Sequence, residues 1–295
     1  MSNSPEGETR PGKARSRGWR GFRAALSLAT WRRDLFLALS FFTRLPVGWM
    51  APRFDPAREL TGVATSPQAQ LAEAARAFPL AGLVVGLAGG LAYWIAIRIG
   101  LTGLLAALLA VAATGALTGA LHEDGWADFA DGLGARGDRA RKLAAMKDSH
   151  IGSFGVLALI FATAIKVVAV ATLGGPDGTA TDRVATGLVA AHVLARAVLP
   201  LAMRSLPLAT SQGLAVMAGR PSAQGVYGAL GLGLLIAFFA VFLPAAIVVF
   251  IAAVVAAVLV GKIAQRNFGG YTGDVLGAIE QVAEIAVLVN LVSLA

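Results

Sequence analysis

Residues 227–260 read YGALGLGLLIAFFAVFLPAAIVVFIAAVVAAVLV and contain no charged side chain. A helix needs about 20 mostly apolar residues to cross a hydrocarbon layer about 30 Å thick. The stretch accommodates two such helices, 227–243 and 245–260, with Pro244 between them. It therefore predicts that the chain crosses a membrane more than once.

The remainder of the chain is also rich in apolar residues and poor in charged ones. Of the 295 residues, 57% are apolar and 14% are charged, whereas soluble domains have about 25% charged residues. Further apolar runs predict spans at about 79–98, 103–121, 154–173, 184–203 and 275–294. The predicted fold is all-α, a polytopic integral membrane protein with about seven transmembrane helices. Gly82, Gly86 and Gly90 are spaced so that the first of these spans packs closely on a neighbour.

The N-terminal region differs from the spans. Residues 1–30 are rich in Arg, Gly and Ser and are predicted to be a basic, disordered cytoplasmic tail. The apolar run 35–43 is too short to span and is followed by Arg44 and Pro46, which predicts a re-entrant or interfacial helix. Residues 31–295 are predicted to form a single transmembrane catalytic domain.

Charge predicts the orientation in the membrane. Residues 1–33 contain eight Lys and Arg against Glu6 and Glu8, so 8 − 2 = +6 of the net +8 lies there. Basic residues favour the cytoplasmic side, which accounts for the charge without a nucleic-acid partner. With the N-terminus cytoplasmic, the polar loops 122–153, 204–226 and 261–274 share the cytoplasmic face.

An acidic motif follows the second predicted span. Asp124, Asp128 and Asp131 fall within about 60° of one another on a helix with 100° per residue. Three carboxylates on one face repel each other, and a hard divalent cation such as Mg²⁺ would neutralise them. The chain has no cysteine, so any metal ligands are oxygen or imidazole. The alternative is a solvated acidic face.

Two further polar segments accompany this motif. Basic residues at 136–142 and the segment 146–155, MKDSHIGSFG, suit phosphate oxygens, although they could equally mark only the cytoplasmic side. The segment 267–278, NFGGYTGDVLGA, precedes Glu280 and Glu284 in the last span. Carboxylates inside a span indicate function, and the alternative is a structural bond to His192 or Arg196.

Five ordered motifs together resemble the cobalamin-5'-phosphate synthase family, also called adenosylcobinamide-GDP ribazoletransferase. The resemblance extends from about Phe41 to the C-terminus, with His150 where the family often has Arg. The motifs are FTRLPV at 42–47, FPLAG at 78–82, EDGWADFADG at 123–132, MKDSHIG at 146–152 and GGYTGD at 269–274.

The resemblance implies the last joining step of cobalamin assembly in the bacterial inner membrane. A hydroxyl of α-ribazole, or of its 5'-phosphate, attacks the phosphate of adenosylcobinamide-GDP and GMP leaves, with Mg²⁺ as cofactor. For the metal we predict the carboxylates Glu123, Asp124, Asp128, Asp131, Asp274 and Glu284. For substrate binding we predict Arg44, Arg266, Tyr271 and Thr272, and for catalysis Lys147 and, as the base, Asp148. Contacts with a second copy or with other pathway enzymes are left open.

Two rival functions fit parts of the sequence. A cation- or proton-coupled transporter would use Glu280, Glu284, His192 and Arg196 as a relay inside the membrane. The sequence shows no internal repeat of the kind found in many transporters. A scaffold for other enzymes would explain the membrane segments but not the acidic motif.

Overall fold

The computed structural model describes residues 27–51 and 68–295, so most of the predicted tail at 1–30 lies outside the described residues. The helix that was expected from the run 35–43 begins earlier, at Leu28. The α-helices of the described residues are α1 Leu28–Phe42, α2 Phe78–Arg98, α3 Gly103–Thr118, α4 Leu121–Gly134, α5 Arg139–Ala145, α6 Ser153–Leu173, α7 Thr181–Ala197, α8 Leu199–Ser205, α9 Leu214–Ala218, α10 Ala223–Val241, α11 Leu243–Phe268 and α12 Gly273–Leu294.

The prediction of a polytopic all-α membrane protein is confirmed. Six helical segments among the described residues are long and apolar enough to cross a membrane, and α3 with α4 makes a seventh if the bent pair is one span. The six are Gln70–Arg98, Ser153–Leu173, Thr181–Ser205, Ala223–Val241, Leu243–Phe268 and Gly273–Leu294. Large apolar side chains on their outer faces, such as Leu91, Phe161 and Ile251, are about half exposed or more, as expected for contact with lipid.

The second predicted span is interrupted. We expected residues 103–121 to run directly into the acidic motif, but α3 ends at Thr118 and α4 leaves it at an angle of 91°. Gly119 and Ala120 both have left-handed backbone conformations, with φ of +66° and +55°, and two such residues end a helix. The acidic motif therefore has a helix of its own.

A line of glycines holds α2 against α7, as the sequence predicts. A β-carbon on Gly86 would lie 2.6 Å from Val189 Cα, and one on Gly90 would lie 2.8 Å from Ala185 Cβ. Both distances are too short for a side chain, so the two backbones are in direct contact. α7 is consequently buried along most of its length.

The helix α11 is longer than the predicted span 245–260 and continues to Phe268. Arg266 is therefore in the last turn of a helix, although it was expected in the loop 261–274. The connection from α11 to α12 is correspondingly short, and it passes beside residues 207–209. Tyr271 N–H donates to Pro207 O at 2.9 Å, and Ala209 N–H donates to Tyr271 O at 3.0 Å.

Candidate active site

Two glycines set the distance between the acidic helix α4 and the last helix α12. A β-carbon on Gly125 would lie 3.0 Å from both Cα and O of Asp274, and one on Gly277 would lie 3.1 Å from Gly125 Cα. The backbones thus touch where the helices cross. This contact places Asp124, next to Gly125, beside the first turn of α12, which carries Asp274.

The aspartates of the acidic motif gather near this crossing. Asp274, Asp124 and Asp131 all act as like charges on the carboxylate of Asp128. Asp274 in turn is repelled by Asp124 and attracted by Lys147. The helical register that was expected to bring three aspartates together therefore does so, and the fold adds Asp274 from a distant part of the chain.

Asp131 also holds the start of α6. Its Oδ2 accepts the N–H of Gly152 at 2.7 Å and its Oδ1 accepts the N–H of Gly155 at 2.8 Å. The first N–H groups of a helix have no partner within the helix, and a carboxylate there is favoured by the helix dipole. Asp131 therefore joins the acidic helix to the next span as well as contributing to the acidic group.

The segment before α12 is fixed by its own hydrogen bonds. Thr272 Oγ1 accepts the N–H of Val275 at 3.2 Å and so caps the helix, and it donates to Asp274 Oδ2 at 3.2 Å. Tyr271 is 2% exposed, and burial raises the pKa of its phenol. The side chain of Tyr271 is thus part of the packing, while Thr272 orients Asp274.

A cavity of about 340 Å³ opens beside the aspartates. Its polar wall includes Asp124, Asp274, Lys147 and Thr272. The apolar part of its lining includes Phe41, Phe42, Leu71, Phe78, Leu199 and Met203. The cavity therefore offers carboxylates and an ammonium group next to a surface suited to an apolar ring or chain.

Several predicted site residues are not in the cavity wall. Arg44 is exposed, its backbone N–H donates to Leu117 O at 2.8 Å, and its guanidinium lies against Gly119. Arg266 is exposed at the end of α11, and Tyr271 is buried behind the cavity.

Asp148, the predicted base, is also outside the cavity wall. Its Oδ1 accepts the backbone N–H of His150 at 3.0 Å, and its side chain is 60% exposed. This hydrogen bond lowers the pKa of the carboxyl, which makes Asp148 a weaker base.

Glu123 and Glu284, also predicted as metal ligands, belong to a second group of charged residues inside the bundle. Lys166 Nζ lies 3.3 Å from Glu123 Oε1 and 3.5 Å from Glu284 Oε1, and it donates to Gln281 Oε1 at 3.0 Å. We call the set Glu123, Lys166, His192, Arg196, Glu280, Gln281 and Glu284 the buried ion network. The predicted carboxylates are therefore divided between two neighbouring sites.

Part of the buried ion network resembles a metal site in its spacing. Ligand atoms of His192, Glu280 and Glu284 all lie within 4.8 Å of one another. However, Arg196 Nη1 lies 2.6 Å from Glu280 Oε1 and 3.3 Å from His192 Nδ1. Arg196 thus pairs with Glu280, so the bond to Arg196 that was expected as the structural alternative is present. The nearest carboxylate oxygen to His192 Nδ1 is Glu284 Oε2, at 3.7 Å.

The sequence reasoning missed two residues of this network, Gln281 and Lys166. Lys166 is 2% exposed and lies within α6. A signal was present, because Lys166 is the only charged residue in the run 154–173, and a charge inside a span calls for a partner.

Fold and site together define a multi-pass α-helical membrane protein with a carboxylate-rich cavity. A family model described as cobalamin-5-phosphate synthase matches residues 34–292. The chain belongs to this family. The resemblance seen in the five motifs is thereby confirmed, and with it the expectation of a transferase of cobalamin synthesis.

Curated relatives agree with the family assignment. The chain is 44% identical over 255 residues to a protein of Bradyrhizobium diazoefficiens named adenosylcobinamide-GDP ribazoletransferase, covering 86% of this chain and 91% of the relative. Proteins with the same name from Allorhizobium ampelinum and Sinorhizobium medicae are 35% and 38% identical, covering 90% and 86% of this chain and 98% and 94% of the relatives. Comparison with solved structures gave no significant match.

Proposed function

We propose that this protein joins α-ribazole, or α-ribazole 5'-phosphate, to adenosylcobinamide-GDP with release of GMP. The names of the curated relatives and the family membership support this activity. The observation that carries the proposal is the meeting of Asp124 and Asp128 of α4 with Asp274 of α12 beside Lys147. Transfer of a phosphate-containing group requires chiefly positioning and charge stabilisation. Lys147 supplies positive charge directly, and the aspartates would supply it through a bound divalent cation.

We also propose that Asp124, Asp128 and Asp274, with Asp131, bind Mg²⁺. The donors are all carboxylate oxygens, which hard divalent cations prefer, and the like charges collected at Asp128 favour a bound cation. When bound, the metal would neutralise phosphate charge. Glu123 and Glu284 belong to the buried ion network, which favours a role in supporting the acidic site rather than in binding the metal directly.

In the proposed reaction the ribazole hydroxyl oxygen forms a bond to phosphorus while the bond between that phosphorus and the GMP oxygen breaks. Lys147 attracts the phosphate oxygens from the cavity wall. The hydroxyl proton passes to a carboxylate in the cavity, and Asp274 is better placed for this than the exposed Asp148. Thr272 orients this carboxylate by donating to Asp274 Oδ2 at 3.2 Å. The proton would pass to the oxygen of Asp274 that does not bind Mg²⁺.

We propose further that the cavity opens to the cytoplasm of a bacterial cell, with the protein in the inner membrane and its N-terminus cytoplasmic. The basic residues of 1–33 support this orientation. If the bent pair of α3 and α4 counts as one span, there are seven spans, and a cytoplasmic N-terminus would leave the C-terminus outside. The polar loops that carry Lys147 and Thr272 would then share the inner face.

The test is GMP release by purified protein, measured against Mg²⁺ concentration for Asp124→Asn, Asp128→Asn and the double variant. Loss of transition-state charge stabilisation predicts a decrease of at least about 10²-fold for Asp128→Asn. Residues that act as one unit are not additive, so the double variant should be little worse than the poorer single variant. Asp182→Asn, an exposed change at the start of α7, is the matched control.

A solvated acidic face gives a different result. In that case each substitution would change the rate by less than about threefold, because isolated surface charges contribute under about 1 kcal/mol. Near wild-type rates and Mg²⁺ curves in all three variants would remove the metal assignment. Absence of GMP release by the wild-type protein with both substrates present would remove the proposed activity.

A further inference from the structure

The buried ion network adjoins the acidic cavity through Glu123, which pairs with Lys166 and precedes the cavity residue Asp124. Lys166 is at its centre and contacts three side chains, Glu123 of α4 and Gln281 and Glu284 of α12. Gln281 Nε2 in turn donates to Glu123 Oε1 at 3.3 Å and to Glu280 Oε2 at 3.0 Å. Three helices, α4, α6 and α12, are therefore tied together through a few polar atoms.

The charges of this network depend on one another. It contains three carboxylates, Glu123, Glu280 and Glu284, and two cations, Lys166 and Arg196, and all except Glu123 are at most 2% exposed. A charged side chain inside a span is tolerated only with a partner. Among the described residues, Lys166 is the cation that pairs with Glu123, the carboxylate that α4 contributes to this network.

Glu123 connects the network to the cavity. It immediately precedes Asp124, so the two side chains leave α4 about 100° apart. Rotation of α4 that moved Glu123 away from Lys166 would also turn Asp124 and Asp128 away from Asp274. The preceding break at Gly119 and Ala120 means that α3 does not continue as one helix to fix this rotation.

We infer that Lys166 is a positioning residue for the acidic cavity. It holds Glu123, and through it the rotation of α4, so that Asp124 and Asp128 face Asp274. Three hydrogen bonds also join α4 to α6 in the described residues, two accepted by Asp131 and one from Trp126 Nε1 to Ala158 O at 3.1 Å. Lys166 adds a contact between α6 and the beginning of α4, through Glu123, next to the cavity.

The inference is tested with Lys166→Met, which removes the ammonium group and keeps an unbranched side chain. Loss of a residue that orients metal ligands typically lowers metal affinity or activity by about 10-fold to 100-fold. We therefore expect the half-saturating Mg²⁺ concentration to rise about 10-fold, with a parallel decrease in GMP release. Leu173→Ala, at an equally buried position of the same helix, is the control and should shift the Mg²⁺ midpoint by less than about twofold.

A second readout is independent of activity. The chain has no cysteine, so Ala127→Cys, on the buried side of α4 with 4% exposure, provides a single labelling site that reports exposure of this face of the helix. Lys166→Met should increase the rate at which a maleimide labels this cysteine about fivefold or more, since local opening on the order of 1 kcal/mol changes exposure about that much. Leu173→Ala should leave the rate unchanged.

Folding and function are separated by a third variant. Lys166→Met alone leaves the buried carboxylates with one cation fewer, which should lower membrane abundance. Its combination with Glu284→Gln removes one carboxylate as well, so membrane abundance should recover while the labelling rate stays high. The inference rests on the proposed function only for its Mg²⁺ measurement. If the wild-type protein released no GMP, the proposed function would be refuted, but the labelling experiment would still test the positioning role of Lys166. Wild-type labelling rates in Lys166→Met and in the double variant would refute the positioning role.

Discussion

The contact between Gly125 and α12 predicts a loss of activity from the addition of a single methyl group. In Gly125→Ala the new carbon would lie 3.0 Å from Cα and O of Asp274, whereas carbon atoms pack best at about 3.5–4.0 Å. Both neighbours are backbone atoms, so they cannot move aside by a change of side-chain rotamer. The two helices must therefore separate by roughly 0.5–1 Å at the point where they carry Asp124 and Asp274.

The size of the effect follows from this displacement. A misplacement of about 1 Å lowers a rate by about 10²-fold. Overpacking costs about 1–3 kcal/mol, and alanine recovers about 1 kcal/mol of helix propensity relative to glycine. We therefore expect the free energy of unfolding to fall by at most about 2 kcal/mol while GMP release falls between about 10-fold and 100-fold.

The assay compares GMP release and the thermal unfolding midpoint for Gly125→Ala and for Gly115→Ala. A β-carbon on Gly115 has no neighbour within 4 Å, so this control in α3 should keep its activity and gain slightly in stability. Equal activity of the two variants would refute the idea that the spacing of α4 and α12 determines the geometry of the aspartates.

Two further predictions concern orientation and the start of α6. Single cysteines at the exposed positions Ser149 and Asp177 should differ in their rate of labelling in intact cells. An impermeant maleimide should label only the Asp177→Cys variant. Rapid labelling of Ser149→Cys would overturn the cytoplasmic placement of the cavity. Asp131→Ala leaves the N–H groups of Gly152 and Gly155 without their acceptor, so the free energy of unfolding should fall by about 1–2 kcal/mol in addition to any loss of GMP release. An unchanged unfolding midpoint for Asp131→Ala would show that these hydrogen bonds contribute nothing to stability.

The sequence alone determined the architecture. Long uncharged runs such as 227–260 specify spans because no other backbone conformation satisfies its hydrogen bonds in lipid. The glycines at 82, 86 and 90 specify a close helix contact, since only small residues permit it. The register of Asp124, Asp128 and Asp131 is likewise a local property of one helix, and the five motifs indicated the family.

The tertiary structure decided which of these residues meet. The 91° break after Thr118 requires a left-handed backbone at Ala120, which the local sequence does not favour because alanine rarely adopts it. The approach of Gly125 to Gly277 depends on packing between segments far apart in the chain. The separation of Glu123 from Asp124, adjacent residues with different partners, has the same origin. Glu123 joins the buried ion network because Lys166 and Gln281 lie on that side of α4, and Asp124 faces the cavity because Asp274 and Lys147 lie on the other.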